Sequence, residues 1–237
     1  MKILILSWKL NIWAEIFYTQ IRLIPEGTVL LSEEQTHGRG RKQRVWFSLP
    51  ELSLTFSVLL KQKVSALNLS FLSLASAAAV AQAIENLYQL KVNLKWPNDV
   101  LVNNKKVAGI LLESKFHGLE LEKVVIGIGI NVNQPFFKGS YNLTPTSIRL
   151  EFGKAVSREK LLSELLNIFE DIIEELQNNR SKVLNYWREK CRFIGEKVTI
   201  TDDKFQKFGI FEDIDEDGAM LLRTQKGIEK ITFGDIS

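Results

Sequence analysis

Four cations, Arg39, Arg41, Lys42 and Arg44, share the stretch "EEQTHGRGRKQRVWFS" (33–48) with two glycines, Gly38 and Gly40. Guanidinium groups grip phosphate or carboxylate through two parallel N–H bonds, and the backbone N–H groups of a glycine-rich loop can face the same oxygens. Alone, such a loop reads equally well as a solvated basic surface. A second cluster follows in "KWPNDVLVNNKKVAGILLES" (95–114). Lys95, Asn98 and Asp99 surround Pro97, which pins polar groups at a strand end. Lys105 and Lys106 return on the next strand and are expected close to that cluster, while Gly109 leaves room for a ligand. Taken together, the two segments describe a concave site for an anionic ligand. Phosphoryl or nucleotidyl transfer needs this kind of cationic arrangement, aimed at charge that develops during the reaction. The planar Arg fork and the Lys point charge do different work there.

Other chemistries find little support. Lys+Arg 31 against Asp+Glu 28 gives +3, too mild a bias for a polyanion-binding surface, so any basic site is local. There is no phosphate-binding P-loop motif, and Gly127 and Gly129 sit inside a strand rather than at a strand-to-helix turn. His37 and His117 are far apart, so neither a zinc site nor a Ser-His-Asp triad is supported. One cysteine, Cys191, excludes an intrachain disulfide and suits a reducing cytoplasm. No apolar run is long enough to span a bilayer. The opening "MKILILSWKLNIW" is expected to form a buried strand rather than a cleaved leader.

The elements that must position these residues alternate. Strands are expected at 27–35, 52–60, 92–96 and 121–133, with a hairpin over 99–114 that turns at Asn103-Asn104. An Ala-rich helix over 65–90 puts Leu69, Leu72, Ser76, Ala79, Ala83 and Leu87 on one face. A helix capped by Ser157 covers 159–177, and another covers 181–190. Beyond Cys191, short β segments separated by Asp202-Asp203 and Asp217-Gly218 read as a small β-barrel. The fold class is α+β, a mixed sheet flanked by helices, with domains at 1–190 and 191–237.

Four motifs in order, "GRGRKQRVW" (38–46), "KWPND" (95–99), "KKVAGILLE" (105–113) and "GIGINVN" (127–133), resemble those of the biotin–protein ligases. The likeness extends to the closing "GDIS" and so covers nearly the whole chain. It implies a class II synthetase-like catalytic domain with a C-terminal SH3-like barrel. It also implies two steps: ATP, with Mg²⁺ carried on its phosphates, activates biotin to biotinyl-5′-AMP, and a lysine of a biotin carboxyl carrier domain then takes the biotin. Arg39, Arg41, Lys106 and Asp99 are the catalytic residues by resemblance. Biotin would be held by Tyr18, Thr19, Gln20, Gln35, Gly38, Arg39, Gly40, Arg41, Lys106 and Gly109. The nucleotide would be held by Arg41, Arg44, Trp46, Lys95, Asn98 and Asn131. The family's helix-turn-helix has no counterpart, so a cytoplasmic ligase without DNA or membrane binding is expected, and a homodimer is possible.

Departures from the family pattern are specific. Phe17 and Tyr18 stand where the family has Asp and Ser, Gln43 stands at a common glycine position, and Leu52-Ser53 replaces a glycine-containing pair. A lipoate-type ligase and a non-catalytic carrier-binding relative are the alternatives. Intact Arg39, Arg41, Asp99 and Lys106 count against the latter.

Overall fold

The computed structural model describes residues 3–4, 24–35, 38–61, 69–117, 120–175, 179–203 and 205–237. Tyr18, Thr19 and Gln20 lie outside the described residues. Seven strands form one mixed sheet: β1 (Ile3–Leu4), β2 (Val29–Ser32), β3 (Ser53–Leu60), β4 (Val92–Lys95), β5 (Asp99–Val102), β6 (Lys105–His117) and β7 (Glu120–Asn131). Their order is β1-β2-β3-β7-β6-β5-β4. β1 and β2 are parallel, and every other pairing is antiparallel.

Side-chain alternation gives this sheet two different faces. On β3, Leu54, Phe56, Val58 and Leu60 enter the main core, while Thr55 and Ser57 point the other way. On β7, Ile126, Ile128 and Ile130 do the same, leaving Gly127, Gly129 and Asn131 on the opposite face. The apolar face is covered by helix α1 (Leu69–Tyr88), which packs on β4, β5 and β6. The sequence suggested one buried stripe on α1, but every residue from Phe71 to Ala81 is buried. The reason is a third layer: α3 (Arg158–Glu175) and α4 (Arg180–Lys190) lie against α1 as well. Small residues such as Ala75, Ala78 and Ser76 allow close approach on both sides, and the Ser76 hydroxyl donates to Leu72 O at 2.7 Å.

Ser157 caps α3 as expected, its Oγ accepting from Lys160 N at 3.1 Å. The five-residue helix α2 (Ile148–Phe152) was not anticipated. It is bracketed by Ser147, whose Oγ accepts from Leu150 N, and by Gly153 at φ 87°.

The last five strands, β8 (Lys197–Thr201), β9 (Gln206–Ile214), β10 (Met220–Thr224), β11 (Gly227–Ile231) and β12 (Asp235–Ile236), form an antiparallel sheet ordered β11-β10-β9-β8-β12. Trp187 of α4 packs against Phe211, and Arg188 donates to Asp213 at 2.7 Å and to Ile214 O at 2.8 Å. Trp96 Nε1, beside the cis Trp96–Pro97 bond, donates to Gly218 O at 3.1 Å. These contacts hold the small sheet against the large one and bring β12 to the mouth of the polar face. No described helix is long and apolar enough to cross a membrane.

Candidate active site

The polar face of the large sheet opens into a cleft of about 990 Å³. Of the residues singled out from sequence, Gln35, Arg39, Gly40, Arg41, Arg44 and Trp46 line it from one side. Lys95, Asn98, Asp99, Lys106, Gly109 and Asn131 line it from the other. Gly38 does not reach the cleft. It stands behind the loop, where an added Cβ would meet Trp46 O at 2.5 Å and Gln35 Oε1 at 2.9 Å.

The floor is built from two facing glycines. Gly109 of β6 pairs with Gly129 of β7, and the Trp46 ring lies in the trough between them. A Cβ on Gly129 would meet Trp46 Cε2 at 2.5 Å. Gly109 makes room for a second group, the tail of Lys106, whose Nζ would lie 3.2 Å from a Cβ there. That ammonium reaches Asp99 Oδ1 at 2.5 Å and stands 5.7 Å from the centre of the Trp46 ring. A bulge makes this possible. Val100 pairs with Ala108 but Leu101 pairs with Lys106, so the extra residue Val107 changes the alternation on β6. The expectation that Lys105 joins the cluster is therefore corrected. Its ammonium points away and binds Glu151 at 3.2 Å.

Lys95 stands among mixed charges. Burial pushes its ammonium below the ordinary lysine value, Asp99 and Asp235 oppose this, and Lys106 and Arg44 add to it. Trp46 Nε1 and Ser57 Oγ are both buried and have no hydrogen-bond partner among the described residues. Such orphaned groups are costly unless a ligand satisfies them.

The basic loop forms a small hairpin. Trp46 N donates to Gly38 O at 2.9 Å and Gly40 N to Arg44 O at 2.7 Å. Its turn puts Lys42 and Gln43 at φ 52° and 55°, in the left-handed region. The departure at position 43 thus falls where glycine is the least strained residue. The cations are not free. Arg41 donates to Asp235 Oδ1 at 3.1 Å, to Gly234 O at 3.2 Å and to Asn98 Oδ1 at 3.4 Å. Arg44 binds the other Asp235 oxygen, and Lys42 lies 3.2 Å from Asp202. Arg39, by contrast, is exposed, and its guanidinium has no partner among the described residues.

Sequence reading missed the carboxylates of the small sheet, which share no motif with the loop. It also missed the segment 135–143, which walls the cleft with aromatic rings. Phe137 meets Phe47 at 6.3 Å and Tyr141 at 6.5 Å between ring centres. The signal was present in "QPFFKGSYN", an aromatic-rich loop directly after a glycine-bearing strand.

The chain resembles known proteins over most of its length. The Biotin/lipoate A/B protein ligase family matches residues 15–131, and the Biotin protein ligase C terminal domain matches residues 193–237. The chain is 34% identical over 215 residues to the bifunctional ligase/repressor BirA of Bacillus spizizenii, covering 90% of this chain and 66% of that protein. It thus spans just under two thirds of that relative's length. It is 32% identical over 213 residues to the biotin–[acetyl-CoA-carboxylase] ligase of Paracoccus denitrificans, covering 87% and 88% of the two chains. The structure of biotin protein ligase from Aquifex aeolicus in complex with biotin and ATP superimposes with a TM-score of 0.85 at 29% identity, over 99% of this chain and 97% of that one. Both domain matches and the identity to full-length relatives have one reading: this chain belongs to the biotin protein ligase family.

Proposed function

We infer that the chain is an ATP-dependent biotin–protein ligase. The observation that carries this reading is the glycine-floored cleft, in which Lys106 and Asp99 meet beneath a loop of three arginines. In the first step the biotin carboxylate attacks the α-phosphorus of ATP, an O–P bond forms and pyrophosphate leaves. Mg²⁺ enters as Mg·ATP, on the nucleotide's phosphates. In the second step the amine of a carrier lysine attacks the acyl carbon, its proton is lost and AMP departs.

The geometry fits the charge changes of both steps. The Lys106 ammonium, held in place by Asp99, meets the carboxylate and the α-phosphate where negative charge gathers. The trough runs from that pair along Gly109 and Gly129 toward Gly127 and Ser57. Biotin laid against the Trp46 ring that fills this trough, with its carboxylate at Lys106, directs its ureido ring toward Ser57 Oγ, which lacks a partner among the described residues, and Gln35 serves the same end. Adenine packs on the aromatic wall of Phe137 and Tyr141. Arg39 and Arg41 close over the mixed anhydride, which must be kept from water. Asp99, released from Lys106 as charge redistributes, orients the incoming amine.

The test is incubation with biotin, ATP and Mg²⁺, with mass detection of biotinyl-AMP, alongside ATP–pyrophosphate exchange with biotin or lipoate. Biotin should support exchange and lipoate should not. Lys106→Ala should slow adenylate formation by roughly 100-fold, as loss of one charge-stabilising donor does. Absence of adenylate under all conditions, or full activity of the Lys106 variant, would overturn the reading or the site respectively.

A further inference from the structure

Lys106 stands at a point where the sheet changes partner. Pairing between β6 and β7 starts at Ala108 with Ile130, two residues after Lys106. Before it, Lys106 N donates to Thr144 O at 2.8 Å and Thr146 N donates to Lys106 O at 2.8 Å. The backbone of Lys106 is thus held by the segment that closes the aromatic wall, through a parallel bridge to Pro145.

One side chain grips both sides of that bridge. Glu151 Oε1 accepts from Thr146 Oγ1 at 2.5 Å and from Lys105 Nζ at 3.2 Å. Its Oε2 accepts from Asn103 Nδ2 at 2.6 Å. The carboxylate therefore ties the hairpin turn, the residue preceding Lys106 and the segment paired with Lys106. It sits on α2, whose first residue Ile148 is fully buried and whose Arg149 N donates to Val132 O at 2.8 Å, so its platform is anchored to the end of β7. The Glu151 side chain is 7% exposed. Burial alone would push its carboxyl upward, but hydrogen bonds from Thr146, Asn103 and Lys105 outweigh burial and hold it below the ordinary value. A nearly buried carboxylate kept charged by three donors is a rigid joint.

The tolerance at Lys106 is small. Its Nζ must pass over Gly109, pair with Asp99 and stay beside the Trp46 ring. A shift of about 1 Å in its backbone is enough to spoil an aligned catalytic contact. We propose that Glu151 is a positioning residue for Lys106, setting its ammonium for adenylate formation without touching either substrate. The role rests on the ligase reading above.

The experiment is a double-mutant cycle read by single-turnover formation of biotinyl-AMP. Glu151→Gln should slow this step by about tenfold while the biotin KM stays within about twofold, and Glu151→Asp should recover part of the rate. In a Lys106→Ala background the same Glu151→Gln change should alter the rate by less than about twofold, because the group it positions is gone. A full tenfold loss persisting in that background, or no loss in the parent background, overturns the proposal. Should Glu151→Gln fail to fold, Asn103→Gly replaces it. Glycine suits the left-handed backbone there, φ 50°, and the change removes one tie to Glu151. A loss of about threefold, absent in the Lys106→Ala background, supports the proposal, and an equal loss in both backgrounds refutes it. A parent protein that makes no adenylate overturns the ligase reading and this inference with it, whereas an active parent with additive variants overturns the inference alone.

Discussion

Asp235→Asn should loosen the basic loop without unfolding the protein. In the wild-type chain one carboxylate takes Arg41 on one oxygen and Arg44 on the other, with Lys42 3.7 Å away. The asparagine side chain keeps one acceptor oxygen and loses the charge. Arg41 retains Gly234 O at 3.2 Å, and Lys42 retains Thr201 O at 3.2 Å, so the loop is weakened rather than released. Hydrogen bonds to charged groups contribute about 1.5–3 kcal/mol when shielded, and exposed ion pairs about 0.2–1 kcal/mol. The side chains of Arg41 and Asp235 are 22% and 25% exposed, between these regimes. A loss of roughly 1–2 kcal/mol follows, which raises the open population of the loop by about 5–30-fold.

The loop carries its own reporter, because trypsin cleaves after Arg and Lys and the segment 39–44 contains four such residues. When opening is fast relative to cleavage, the rate under native conditions tracks the open population. Cleavage at 39–44 should therefore be about tenfold faster in Asp235→Asn than in the parent, with thermal unfolding changed little. Biotin with ATP should protect both. Raising salt should open the parent loop more than the variant loop, since salt screens the partly exposed pair that only the parent has. Equal cleavage rates in the two proteins at low salt would refute the clamp.

Two further outcomes are expected. Gly129→Ala should drive the Trp46 ring about 1 Å off the trough floor, given the 2.5 Å approach to Cε2. Overpacking of this kind costs about 1–3 kcal/mol, so thermal unfolding should fall by roughly 2–12 °C and the KM for biotin or ATP should rise; unchanged values would show that the ring is not seated there. Cys191 is buried, and burial pushes its thiol up to about 12. At pH 8 only about one molecule in ten thousand would carry the thiolate, so a thiol reagent should label the native protein far more slowly than the denatured one. Rapid labelling of the folded chain would contradict the packing of α4 on the small sheet.

The elements were legible because each rests on a local rule. The Asn103-Asn104 turn has both residues in the left-handed region, at φ 50° and 64°, as a two-residue hairpin demands. The strand at 121–133 was visible from its β-branched run. Two further features were hidden. The number of layers around α1 depends on where α3 and α4 pack, and an Ala-rich sequence suits one or two apolar neighbours equally well. Parity along β6 depends on a single bulged residue, Val107, and without it Lys105 and Lys106 could not be told apart.

The basic loop shows most plainly what a motif lacks. Composition said that Arg41 and Arg44 could bind an anion, and in the folded chain they do bind one, but it is Asp235, more than 190 residues away in sequence. A loop with this much positive charge would repel itself if left unpaired next to Lys95 and Lys106. The carboxylate of β12 offsets that repulsion and parks the guanidinium groups at the cleft mouth. Under the proposed function, an incoming nucleotide competes with one partly exposed carboxylate rather than with bulk water and full loop disorder. The ordering entropy is thereby met during folding instead of at each turnover. If the cleft binds as proposed, the small sheet belongs to the active site, and the property it controls is the ease with which the loop exchanges a protein carboxylate for a substrate phosphate.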